Sequence, residues 1–164
     1  MQKRWKPNVT VAAVIEQDGR FLLVEEDTRD GLRLNTPAGH LDPGESPVQA
    51  CSRETLEEAA YDFTPSHLVG IYLNRFAPTN ATEDITYLRF TFCGELGRHY
   101  PERALDFGIA RAVWMTIDEI RAAQERHRSP IVMRCIDDYL AGKRFPVDLL
   151  QVDPSIYCTP AVLA

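Results

Sequence analysis

The stretch Gly39-His40-Leu41-Asp42-Pro43-Gly44-Glu45-Ser46-Pro47-Val48-Gln49-Ala50-Cys51-Ser52-Arg53-Glu54-Thr55-Leu56-Glu57-Glu58-Ala59-Ala60-Tyr61 decides how this chain is read. Its second half predicts a helix over residues 46 to about 60. Ser46 suits an N-cap, Pro47 sits at the first helical position, and Gln49 completes an S-x-x-Q capping box. Val48, Cys51, Thr55 and Ala59 recur at three- and four-residue steps and form one buried face. Glu54, Glu57 and Glu58 then fall within an arc of about 100° beside that face. Carboxylates crowded at i,i+3 and i,i+4 repel one another, so stability alone would not select them. The plain alternative is a solvated acidic face in which Arg53 pairs with Glu57 at i,i+4. The chemical alternative is a hard divalent cation, because Mg²⁺ prefers oxygen ligands and keeps open positions for phosphate oxygens.

Outward from this segment the chain reads as one α/β domain over residues 1–164, with a core at about 8–147 and a tail at 148–164. Residues 8–16 and 21–25 read as strands joined at Asp18-Gly19, a hairpin signal. Residues 27–33 are polar and read as a loop, and 34–40 as a short edge strand broken at Pro37. Strands are expected at 67–76, 85–95 and 110–115. Thr116 and Glu119 form a second capping box, opening a helix to about residue 126. A third helix opens at Ser129-Pro130, carries the apolar stripe Ile131, Val132, Cys135, Ile136, Tyr139 and Leu140, and stops at Gly142.

Composition bounds the function. The 164 residues are 45% hydrophobic and 26% charged, with a net charge of −6, so a nucleic-acid polymer is not an expected partner. A small polyphosphate held through a cation is compatible with that charge. Cys51, Cys93, Cys135 and Cys158 show no metal spacing and read as small buried residues. No apolar run is long enough for a membrane span, and residues 1–7 lack the apolar run of a signal peptide. The cytoplasm is the expected compartment.

The spacing of the fixed residues is the specific signal. Gly39 is followed after five residues by Glu45, and after seven more by Arg53-Glu54, then Glu57-Glu58. A chance match to six such positions is on the order of one in 10⁵ for a chain of this length. This pattern resembles the box of the Nudix hydrolase superfamily, G-x5-E-x7-R-E-U-x-E-E-x-G-U. The resemblance implies an α/β/α sandwich around a mixed β-sheet and hydrolysis of diphosphate linkages with Mg²⁺, for which Mn²⁺ can substitute. It implies metal ligation by the Gly39 carbonyl, Glu54, Glu57 and Glu58, and an ion pair of Glu45 with Arg53 that ties loop to helix. The implied base is Glu54 or a carboxylate outside the box, with Glu83, Asp84 and Glu95 as downstream candidates. Two positions depart from the box. Thr55 replaces an aliphatic residue, and its hydroxyl needs a backbone carbonyl one turn earlier. Ala60 replaces a glycine that ends the helix in a left-handed conformation, where alanine is strained by about 1 kcal/mol.

Segments outside the box resemble a bacterial phosphatase branch of the family: Asn8-Val9-Thr10-Val11-Ala12, Asn35-x-Pro37-Ala38-Gly39-His40-Leu41, Leu88-Arg89-Phe90, Arg128-Ser129-Pro130-Ile131-Val132, and Gly142-Lys143-Arg144-Phe145-Pro146. That branch implies a small pyrophosphate-containing substrate: nucleoside di- and triphosphates, thiamin pyrophosphate and hydroxymethylpyrimidine pyrophosphate, with release of orthophosphate. Leu34 stands where the branch has tryptophan. His40 and Arg89 are candidate substrate contacts, Arg89 through a bidentate grip on phosphate. Two readings compete: a pyrophosphohydrolase that releases pyrophosphate from nucleoside triphosphates, and a ligand sensor that has lost catalysis. The intact glutamates disfavour the sensor.

Overall fold

A computed structural model describes residues 4–76 and 85–158. The hairpin signal at Asp18-Gly19 is realised: both residues have positive φ, 52° and 74°, the pairing that a tight two-residue turn requires. It joins β2 (Glu16–Gln17) to β3 (Arg20–Thr28), after β1 (Asn8–Ala13). The polar stretch expected as a loop instead continues the sheet. β3 runs on and turns into β4 (Gly31–Asn35), with Glu26 opposite Arg33 and Gly31 at φ 89°. A solvated strand edge tolerates such residues, so polarity alone misleads there. β5 is the short edge strand Ala38–His40, placed directly after Pro37.

Helix α1 spans Pro47–Ala59. Ser46 and Gln49 bond each other's backbone reciprocally, completing the expected capping box. Thr55 buries its methyl and donates its hydroxyl to the Cys51 carbonyl at 2.8 Å, one turn back. The helix ends at Ala60, which is left-handed at φ 59°, ψ 32° and donates its N–H to the Leu56 carbonyl. The chain therefore leaves α1 abruptly and enters β6 (Tyr61–Phe76) with no loop. β6 begins well before residue 67, because Pro65, a residue without an N–H, is absorbed at a register shift between Pro65 and His67. β7 (Ile85–His99), β8 (Ile109–Thr116), α2 (Ile117–Ala122), α3 (Ile131–Leu140) and β9 (Phe145–Pro146) follow. The second helix stops short of residue 126, whose segment Gln124–Arg126 is a 3₁₀ turn.

One sheet is mixed, in the order β5-β1-β7-β6-β9, with β1 parallel to β7. The other is antiparallel, with β3 between β4 and β8 and β2 also pairing β3. Both sheets feed two cores. Val11, Ala13, Leu22, Val24 and Phe92 pack with Ala50, Cys51 and Ala59 of α1, and Val147 and Leu150 close this core from the far end of the chain. Val14, Phe21, Leu23 and Leu34 pack with Ile120, Val132, Cys135 and Ile136 of α2 and α3. The result is the expected α/β/α layering. Cys51, Cys93 and Cys135 are buried as expected, whereas Cys158 is exposed. Among the described residues no helix is long and apolar enough to cross a membrane.

The left-handed Ala60 generates a stability prediction. Ala60→Gly relieves the clash of its Cβ with the backbone, partly offset by loss of one buried methyl. The denaturant midpoint should rise, by up to about 1 kcal/mol of unfolding free energy. A fall in the midpoint would contradict the left-handed assignment.

Candidate active site

α1 presents its carboxylates to β5 across a very short gap. A Cβ placed on Gly39 would overlap the Glu54 carboxylate, so glycine lets the β5 backbone approach this side chain without displacing it. On the same side, Glu58 Oε2 accepts the Ala38 N–H at 2.8 Å. Glu54 and Glu58 are each 8% exposed.

Arg53 organises the remainder. Its Nε and Nη2 donate to the two oxygens of Glu45, at 3.0 and 2.6 Å, the fork geometry in which guanidinium holds carboxylate best. Nη2 also donates to the His40 carbonyl at 3.0 Å, and Nη1 donates to Glu54 Oε1 at 2.8 Å and Glu57 Oε2 at 2.9 Å. One guanidinium thus ties the turn at Glu45, strand β5 and two glutamates of α1. The expected Glu45–Arg53 pair and the plain Arg53–Glu57 pair are both present. Asp42 adds its N–H to Glu45 Oε1 at 2.8 Å. Burial works against the Glu45 charge, but the Arg53 and Asp42 hydrogen bonds prevail and hold its carboxyl below the usual range. The Arg53 guanidinium is held firmly charged by the same partners.

Burial has the opposite result at the other glutamates. It pushes the Glu54 carboxyl up, aided by the charges of Glu57 and Asp106 and opposed by Arg53. It pushes Glu58 up to about 8, opposed by the Ala38 N–H and reinforced by Glu26, Glu54 and Asp106. Desolvated carboxylates that repel one another are stabilised by a cation. Glu54, Glu57 and Glu58 each have one oxygen engaged as described, and the other accepts no hydrogen bond among the described residues. No group of three acidic, histidine or cysteine side chains among the described residues is already gathered in a metal-holding geometry, since Arg53 draws two of the glutamates to itself. The donor set is entirely oxygen and has an excess of negative charge, which fits a hard divalent ion.

The remaining candidates separate. Glu95 lies opposite Thr64, far along β7 from the Phe90–Val11–Gly39 row, and is not brought to the site. Glu83 and Asp84 lie outside the described residues. His40 contributes its carbonyl to Arg53, while its exposed ring lies 6.2 Å from that of Tyr87. Arg89 is buried on β7 and donates to Thr36 and Asn35. Sequence reasoning missed Glu26 and Asp106. Glu26 accepts from Asn35 Nδ2 at 2.7 Å and pairs with Arg128 at 3.0 Å, while the Asp106 N–H bonds the Glu57 carbonyl at 3.0 Å. Neither belongs to a motif. Only the β3–β4 pairing and the loop before β8 bring them close enough to raise the Glu58 carboxyl.

The NUDIX domain profile matches residues 4–135. Phosphatase NudJ of Escherichia coli K12 is 36% identical over 146 residues, covering 89% of this chain and 92% of the relative. A NUDIX hydrolase structure from Nitrosomonas europaea superposes with a TM-score of 0.85 at 58% identity, covering 90% of this chain and 98% of that one. A MutT NUDIX hydrolase from Burkholderia pseudomallei shares the fold, with a TM-score of 0.66 at 17% identity over 82% of this chain and 98% of its own.

The Glu58 environment predicts a pH dependence with a definite sign. The folded state holds the Glu58 proton up to about pH 8, whereas the unfolded chain releases it near the ordinary 4.5. The proton-linked stability is therefore complete below the unfolded value and lost as pH rises through the folded one. In chelator, wild-type stability from denaturant melts should fall between about pH 5 and about pH 9 more steeply than that of Glu58→Gln. Parallel curves for the two proteins would contradict the burial of this charge.

Proposed function

The chain belongs to the NUDIX hydrolase family, and from that premise we propose that it is a Mg²⁺-dependent phosphatase of small pyrophosphates. Mn²⁺ is a competent substitute. The observation that carries this reading is the set of three carboxylates on one turn of α1: Glu54 against the Gly39 backbone, Glu54 and Glu57 held by Arg53, and Glu58 by the Ala38 N–H. The proposed substrates are nucleoside di- and triphosphates, thiamin pyrophosphate and hydroxymethylpyrimidine pyrophosphate. The extensive similarity to a phosphatase, rather than the box alone, supports attack at the terminal phosphorus with release of orthophosphate. The net charge of −6 suits a small phosphate substrate better than a nucleic-acid polymer, and the proposed setting is the cytoplasm.

We assign the Gly39 carbonyl, Glu54, Glu57 and Glu58 as the groups that hold the ion. When bound, a divalent ion neutralises phosphate charge and lowers the pKa of a coordinated water. The chain supplies the remainder. Glu45 and Arg53 fix the relation of β5 to α1, so the Gly39 carbonyl and the glutamates stay in register. Glu54, whose carboxyl is already raised by burial, takes the proton of the attacking water at its Oε2. An oxygen–phosphorus bond forms at the terminal phosphorus, and the bond from that phosphorus to the bridging oxygen breaks. The shortened substrate leaves with the bridging oxygen.

Two experiments test this reading. Glu57→Gln keeps shape but removes a ligand charge, so turnover at saturating Mg²⁺ should drop on the order of a hundredfold or more. Near-normal turnover would remove Glu57 from the site. A phosphate assay with thiamin pyrophosphate and ATP, run with and without inorganic pyrophosphatase, should give signal without it. Thiamin monophosphate and ADP should be the first organic products. Signal only with pyrophosphatase, and AMP without an ADP intermediate, would replace this reading with a pyrophosphohydrolase.

A further inference from the structure

β7 carries a charged side chain into the interior with no countercharge among the described residues. Arg89 is 7% exposed. Its Nη2 donates to Thr36 Oγ1 at 2.6 Å and to Asn35 Oδ1 at 3.4 Å, both neutral acceptors. Its Nε is shielded from solvent and has no hydrogen-bond partner, and no carboxylate pairs with Arg89 among the described residues. Neighbouring arginines are treated differently: Arg111 and Arg126 share Glu25, Arg128 takes Glu26, and Arg53 takes Glu45, Glu54 and Glu57. A buried guanidinium without an anion is unfavourable unless a ligand completes it.

Its position relates it to the glutamates. Arg89 stands opposite Thr10, and Thr10 opposite His40, so the three side chains share one face of the mixed sheet. Gly39 lies in the next row, where the missing Cβ points to Glu54 on the other face. The two faces meet through residues 35–39. Thr36 takes the Arg89 bond, and two residues on, at most about 7 Å of extended chain, Ala38 donates to Glu58. Successive phosphates of one substrate are neighbours on that scale. Tyr87 precedes Arg89 by two residues on the same face, with its ring beside that of His40, which leaves an aromatic wall beyond the guanidinium.

We propose that Arg89 binds the phosphate that the substrate retains, and that this contact sets which phosphorus stands at the glutamates. The inference rests on terminal-phosphorus attack as proposed above. With the retained phosphate on Arg89, the terminal phosphate reaches Glu54, Glu57 and Glu58. Without that anchor, a nucleoside triphosphate slides and an inner phosphorus is attacked as well. A role limited to clamping Thr36 and Asn35 would change turnover but not the products.

The test combines a binding probe with a product ratio. Inorganic phosphate titrated into the ¹⁵N-labelled wild type in chelator should shift the Arg89 Nε–H resonance in a saturable way. R89Q should bind phosphate about tenfold more weakly or worse, the loss of one charge-assisted hydrogen bond. R89K should fall between, since it keeps charge but not the fork. With ATP and Mg²⁺, the pyrophosphate share of products should rise in R89Q and less in R89K, while the wild type releases orthophosphate. An unmoved Nε–H resonance, or an unchanged product ratio in both variants, overturns the proposal. If the wild type itself releases pyrophosphate, the terminal-attack reading and the register-setting role both fail, while the phosphate titration still decides whether Arg89 binds an anion.

Discussion

Arg53 sits where electrostatics would otherwise pull the structure apart. Three glutamates occupy one turn of α1, two of them buried, with Glu26 and Asp106 near enough to add to the repulsion. A single guanidinium takes Glu45 in its fork and touches Glu54, Glu57 and the His40 carbonyl. Loop, edge strand and helix are thereby held in one relation, as a fork of rigid donors can do and a flexible ammonium cannot. Removing one member of such a network leaves the others buried and unpaired, which is why the site behaves as a unit.

The constraint extends into the fold. Gly39 is open because Glu54 needs that volume, and β5 can be short because Ala38 bonds Glu58 as well as sitting beside β1. α1 is fixed at both ends, by the Ser46–Gln49 box and by the left-handed Ala60 that turns the chain straight into β6. Thr55 packs in the core beneath the carboxylates with its hydroxyl satisfied along the helix. Stability is thus concentrated around a charge arrangement that is unfavourable by itself and favourable with a cation.

Much of this was legible because it is local. Caps, box spacing, the Asp18-Gly19 turn and the Thr55 hydroxyl depend on residues a few positions apart. What was not legible depends on pairing at a distance. The polar residues after Glu25 became strand because β4 pairs with them, and the start of β6 was hidden by Pro65 at a bulge. Glu26 and Asp106 reach the glutamates through sheet register and a loop, neither of which has a spacing to read. Glu95, plausible by charge alone, lies along the wrong part of β7.

The role proposed for the α1 glutamates is to hold a divalent ion. Mn²⁺ titration followed by electron paramagnetic resonance addresses it without reference to any substrate. Saturable Mn²⁺ binding is expected, weakened roughly tenfold or more by Glu57→Gln, while Glu95→Gln, remote on the same protein, leaves it intact. Binding that is absent in the wild type, or equal in the wild type and both variants, would contradict the proposed role.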